Sequence, residues 1–162
     1  MDILSFEPTV VLLADALRRK GWQLVAAESC TGGLVAAACT ALAGSSDWFE
    51  RGFVTYSNEA KSEMLGVDAV LIAADGAVSE AVARAMVQGA LQQSRATLAV
   101  AVTGIAGPGG AVPGKPVGTV WLAWGTARQV HAELLQLAGD RDAVRAATVA
   151  AALQRLLQEA TA

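Results

Sequence analysis

The sequence predicts an α/β protein, a three-layer α/β/α sandwich on a mixed sheet of five or six strands. Three observations carry that reading. Short strand-forming runs at Trp22–Ala26, Trp48–Tyr56 and Thr97–Thr103 alternate with segments whose apolar residues recur at helical spacing, as in strands connected through helices. Thr97–Thr103 is almost wholly apolar, the mark of a strand buried on both faces. Val117–Trp124 and Arg128–Leu137 are joined at Gly125-Thr126, which predicts an antiparallel hairpin and makes the sheet mixed.

In chain order, Pro8–Lys20 repeats Val10, Leu13, Ala14 and Leu17 on one face, carries Arg18, Arg19 and Lys20 in its last turn and stops at Gly21, which reads as a helix. After the first strand, Leu34–Cys39 begins a small-residue helix expected to end near Gly44. The second strand is followed by Ser57 or Asn58 as the cap of a short helix closed by Gly66, and a further helical piece lies between Asp68 and Ala74. Ser79 caps a helix to about Gln93, with Val82, Ala85, Met86 and Ala90 inward. The loop from Gly104 to Pro116 is too rich in glycine and proline to be regular, and connectors of that length are usually functional or disordered. A last helix runs from Asp140 to about Gln158.

Length and composition narrow the function classes. The 162 residues fit one domain with a full core. Charged residues are 17% of the chain against a usual ~25%, and the hydrophobic share of 54% favours burial in a homodimer or larger homo-oligomer. The net charge of −3, with no basic run beyond Arg18-Arg19-Lys20, argues against nucleic acid and for a small ligand. No stretch has the ~18 apolar residues of a membrane helix. Asp2 and Glu7 sit where a signal peptide would be basic, so a cytoplasmic location is expected. Cys30 and Cys39 lack zinc-motif spacing and His131 is the single histidine, so neither a metal nor a cofactor is expected.

Ser29, Cys30 and Thr31 fall on a strand-to-helix turn, where ligand crevices of α/β sheets form. The helix start at Thr31-Gly32-Gly33 would offer main-chain N–H groups to an anion or oxyanion, and glycines there let a ligand approach. Ser29 or Thr31 reads equally as an N-cap, and Glu28 could orient the turn. A serine nucleophile needs a base. His131 shares a strand face with Gln129 and Glu133 and reads as surface. Of the three lysines, Lys20 is explained by its helix end, and Lys115 could reach a ligand or be solvated. Lys61 follows a second strand-to-helix turn, Tyr56-Ser57-Asn58; if the two turns adjoin, Lys61 and Tyr56 approach Ser29. Arg141 reads as a phosphate contact or, together with Arg145, as a solvated helix face. No phosphate-loop or dinucleotide fingerprint is present.

Taken together, Ala27–Gly33, Gly44-Ser45-Ser46, Gly52–Lys61, Gly76–Ser79, Thr103–Pro108 and Lys115–Val120 resemble the CinA C-terminal domain family over nearly the whole chain. The resemblance implies the stand-alone form, an amidohydrolase that converts nicotinamide mononucleotide to nicotinate mononucleotide and ammonia by serine and lysine without metal. Carried across by motif, it implies Ser29 as nucleophile, Lys61 as base and Tyr56 as helper. Cys30, Thr31, Gly32, Gly33, Asn58, Thr103, Gly104, Ile105 and Arg141 are then expected to bind substrate. The loop at Gly107-Pro108-Gly109-Gly110 departs from the family in lacking an acidic residue after Pro108. Two other readings compete: a thiol amidase using Cys30, and a non-catalytic nucleotide- or partner-binding domain connected with competence or DNA damage.

Overall fold

The computed structural model describes residues 1–162. After a single 3-10 turn at Ile3–Phe6, helix α1 (Glu7–Lys20) leads into β1 (Leu24–Glu28). Then come α2 (Leu34–Thr40), β2 (Phe49–Val54), three helices α3 (Asn58–Leu65), α4 (Ala69–Asp75) and α5 (Glu80–Gln92), and β3 (Leu98–Gly104). The hairpin β4 (Thr119–Gly125) and β5 (Val130–Gln136) precedes the long helix α6 (Arg141–Thr161). The five strands form one sheet in the order β2-β1-β3-β4-β5; β1 runs parallel to β2 and β3, while β4 is antiparallel to β3 and β5.

The alternation of side chains along the strands sorts the core into two layers. Leu24, Ala26, Leu98, Val100, Val102 and Leu122 pack with α1, α2 and α6 residues such as Leu13, Leu17, Val149, Leu153 and Leu156. Val25, Ala27, Ala99, Ala101 and Ala123 face α5 and the α3–α4 region through Met86, Val87, Leu65 and Ile72. The second face is mostly alanine, which lets α5 lie close to the sheet. α5 in turn meets α3 through Gly89, where an added Cβ would stand 2.0 Å from the Leu65 carbonyl oxygen. That close approach seats α3 and the lysine it carries.

Element ends differ from the sequence reading where tertiary geometry decides. β2 stops at Val54 instead of Tyr56, because the chain turns to begin α3 with Ser57 Oγ accepting the Ala60 N–H at 3.0 Å. α2 ends at Thr40, and the residues after it form turns and a 3-10 segment at Ser45–Asp47. α6 continues to Thr161, its Ala160 still packed on the core. No helix is long and apolar enough to cross a membrane.

Candidate active site

Three parallel strands end side by side, and their carboxyl ends hold the candidate site, as expected for an open α/β sheet. Beyond β1 the chain passes through Ser29–Thr31 and then Gly32 and Gly33, whose φ values of 59° and 105° lie in the left-handed region that glycine tolerates. Glu28, only 1% exposed, turns its carboxylate back under this turn. There it accepts the Thr31 hydroxyl at 2.5 Å and the Val35 and Ala36 N–H groups at 2.9 and 3.0 Å. Gly33 brings no side chain to the start of α2, so the buried carboxylate caps that helix in its place, and these three donors offset its desolvation. From α6, Arg145 reaches in to donate to the carbonyls of Cys30 at 3.2 Å and Thr31 at 3.3 Å.

The helix start at Thr31-Gly32-Gly33, expected to meet the ligand, lies outside the lining of the cavity described below. Thr31 is fully buried on Glu28, the Gly32 N–H is taken by the Ser29 carbonyl at 3.0 Å, and Gly33 faces Val54. The anion-attracting amides of α2 are already satisfied from inside the protein. The Cys30 N–H, next to the serine, has no protein acceptor.

The second turn does adjoin the first. Ser57 caps α3, and Lys61 and Leu65, one helical turn apart, form its buried face. Lys61 thus occupies a position that helical periodicity would give to an apolar residue. It is 1% exposed, and its Nζ lies 2.9 Å from Ser29 Oγ, 2.7 Å from the Thr55 carbonyl and 3.3 Å from the Tyr56 carbonyl. No carboxylate pairs with it. Burial without a counter-ion lowers its pKa from 10.5 to about 8. A neutral amine has two N–H donors and one lone pair. With the donors on Thr55 and Tyr56, the lone pair is left for the Ser29 hydroxyl proton.

Ser29 and Lys61 stand at the inner end of a cavity of about 260 Å³. Cys30, Tyr56, Asn58, Thr103, Gly104, Ile105 and Arg141, all expected from the sequence, line it too. Ala77, Val78 and Ala106–Gly107 also contribute; the first two belong to the Gly76–Ser79 block, whose place at the cavity is set by a hydrogen bond from Thr103 Oγ1 to the Ala77 carbonyl at 2.9 Å. No aspartate or glutamate lines the cavity. The volume falls just below the ~300–1,000 Å³ of pockets that enclose drug-sized ligands, so a nucleotide would extend to the rim.

Tyr56, expected as a helper, meets Lys61 through its main-chain carbonyl. Its phenol is 62% exposed at the rim and accepts from Arg141 Nη2 at 3.3 Å. The hydroxyl therefore does not stand between Ser29 and Lys61. Arg141 also donates to the Gly107 carbonyl at 2.8 Å, joining the α6 start to the glycine-rich loop. Lys115 is tied to the Asp75 carbonyl at the end of α4, at 2.9 Å, and is not part of the cavity. His131 stacks on Trp124 on the edge hairpin, with Glu159 3.5 Å from its Nε2, also outside the cavity. Burial pushes the Cys30 thiol up to about 11, which leaves it protonated and a poor nucleophile near neutral pH. No group of three or more His, Cys, Asp or Glu side chains is gathered as a metal site.

The fold and the turn define an α/β domain with a buried serine–lysine contact at the carboxyl ends of its parallel strands. The CinA C-terminal domain family model matches residues 7–160, and the chain belongs to that family. It is 56% identical over 149 residues to a nicotinamide-nucleotide amidohydrolase PncC of Pseudomonas putida, spanning 92% of this chain and 93% of the relative. The protein of the same name from Escherichia coli K12 is 53% identical over 148 residues, 91% of this chain and 90% of its own. Among solved structures, the competence/damage inducible protein CihA of Agrobacterium tumefaciens superposes with a TM-score of 0.92 at 45% identity, covering 94% of both chains.

Proposed function

We propose that this chain hydrolyses the carboxamide of nicotinamide mononucleotide, giving nicotinate mononucleotide and ammonia, and that Ser29 and Lys61 do so without a metal. The 2.9 Å contact of a buried, unpaired lysine with a serine at the inner end of the cavity carries this reading. The substrate rests on the two relatives named for nicotinamide-nucleotide amidohydrolysis, each aligned over nine-tenths or more of this chain.

Neutral Lys61 takes the Ser29 proton as Oγ attacks the carboxamide carbon, and the Cys30 N–H stabilises the oxyanion. The tetrahedral intermediate collapses with cleavage of the C–N bond, and the Lys61 proton passes to the departing nitrogen, which leaves as ammonia. Water then attacks the acyl-enzyme, giving a proton to Lys61. When the Oγ–C bond breaks, that proton returns to Ser29, and the carboxylic acid formed loses its remaining proton to solvent and departs as the carboxylate. The electron-withdrawing pyridinium favours attack. Its positive charge also disfavours protonated Lys61, so bound substrate keeps the base neutral. In this reading Arg141 binds the phosphate and Asn58, Thr103, Gly104 and Ile105 contact the nucleotide; their position in the cavity lining supports it.

We place this activity in the cytoplasm, in a homo-oligomer of single-domain chains; the 54% hydrophobic composition favours the association. Purified protein with excess chelator should release ammonia from nicotinamide mononucleotide, and Ser29→Ala should abolish release while remaining folded. Loss of turnover on chelation would overturn the metal-free mechanism; full activity in Ser29→Ala would overturn the nucleophile. A folded wild-type protein that binds the nucleotide unchanged would point to the non-catalytic reading.

A further inference from the structure

Arg145 is the one cation on the Ser29 turn that the proposed chemistry leaves without a role. It is half-buried, it has no carboxylate partner, and its guanidinium is spent on two uncharged carbonyls, those of Cys30 and Thr31. The carbonyl before them, that of Ser29, accepts the Gly32 N–H at 3.0 Å, and the Thr31 carbonyl also accepts the Leu34 N–H at 3.1 Å. Three successive carbonyls of the turn are therefore tied down.

In a trans peptide the N–H points opposite to the C=O. Tying the Ser29 and Cys30 carbonyls thus aims the N–H groups of Cys30 and Thr31 the other way, and neither has a protein acceptor. Cys30 lines the cavity beside Ser29. Glu28 anchors the turn to α2 from below, but only Arg145 connects it to α6, the helix whose first residue, Arg141, reaches the cavity rim.

We infer that Arg145 is a positioning residue of the reaction: it holds the Ser29 turn so that the nucleophile and the Cys30 N–H keep the spacing needed to bind the developing oxyanion. This rests on the serine amidohydrolase reading above. Arg145 touches neither substrate nor Lys61. It acts by holding main-chain groups, so its loss should lower the rate of the chemical step and leave substrate affinity nearly alone.

The test compares wild type, Arg145→Met and Arg145→Lys for kcat and KM on nicotinamide mononucleotide, per folded molecule as measured by circular dichroism. Misplacing a catalytic constellation by about 1 Å costs on the order of 100-fold, so Arg145→Met should lose about that much kcat, with KM within about twofold of wild type. Arg145→Lys should recover part of the loss, since an ammonium gives a point charge but not the planar fork. A purely structural arginine would lower the melting temperature and the folded yield while kcat per folded molecule stayed at the wild-type value. That result overturns the inference, as would a rise in KM at constant kcat. Wild type without turnover would instead bring down the amidohydrolase reading itself, so the two failures are distinct.

Discussion

The pH dependence of kcat/KM follows directly from the environment of Lys61. At its ordinary pKa of 10.5 roughly one lysine in three thousand is neutral at pH 7; at about 8 the fraction is about one in ten. Burial against Thr55, Tyr56 and Ser29 with no counter-ion therefore raises the population of reactive base about 300-fold. Neutral Lys61 is the form that accepts the Ser29 proton, so kcat/KM should rise with pH, with unit slope below about 8 and a plateau above. Between pH 7 and 9 the gain should be about tenfold. The second ionisation of the substrate phosphate lies near 6, outside that window. For kcat the midpoint should fall to lower pH, because the bound pyridinium adds a positive charge near the amine. Separating nicotinate mononucleotide from substrate by chromatography at fixed times avoids a pH-sensitive coupling enzyme. A flat profile from pH 7 to 9, or a midpoint near 10.5, would refute the neutral-lysine mechanism.

The same lysine affects stability. Its folded pKa lies below its unfolded one, so between about pH 8 and 10.5 the unfolded chain holds more protons and wild-type stability should rise with pH. The full difference is worth roughly 3 kcal/mol. Lys61→Met lacks this ionisation: denaturant unfolding should find it gaining on wild type at pH 7, less the loss of two carbonyl partners, and losing that advantage by pH 10.5. A constant difference across the range would contradict a buried, unpaired amine. Glu28→Gln keeps the shape of the α2 cap but not the charge-assisted bonds, and should cost about 1–3 kcal/mol in unfolding free energy with a fall in kcat. Gly89→Ala sets a methyl against the Leu65 carbonyl and should destabilise by at least about 2 kcal/mol while displacing Lys61, read as lower melting temperature together with lower kcat. A variant as stable and active as wild type would show that α3 tolerates a shift.

Much of this architecture was legible in the residues because the signals were local. Thr97–Thr103 marked the central strand to within a residue of Leu98–Gly104, and Gly125-Thr126 marked the hairpin. Ser57 and Ser79 announced helix starts through their own side chains. Ser29 and Lys61 were placed on two strand-to-helix turns, but their contact spans 32 positions and depends on β1 and β2 being neighbours in parallel. A visible hint lay in α3, where a lysine takes the buried position one turn before Leu65. Glu28 was readable as orienting the turn, but not as the cap of α2, and the role of Arg145 was not legible. Glu28 caps a helix from outside its usual capping position, and Arg145 reaches across more than a hundred residues to two main-chain carbonyls, which carry no sequence signal. At Thr31-Gly32-Gly33 the Gly32 N–H is taken by the Ser29 carbonyl, a pairing that nothing in the chain order announces.

The central claim is that Ser29 carries the acyl group. Enzyme quenched with acid during steady turnover of nicotinamide mononucleotide, digested and analysed by mass spectrometry, tests it directly. The account predicts the mass of a nicotinoyl nucleotide ester on Ser29 in wild type and none in Ser29→Ala. The same mass on Cys30, or product formed with the Ser29 peptide unmodified and no hydroxamate released when hydroxylamine is added to intercept the acyl group, would contradict it.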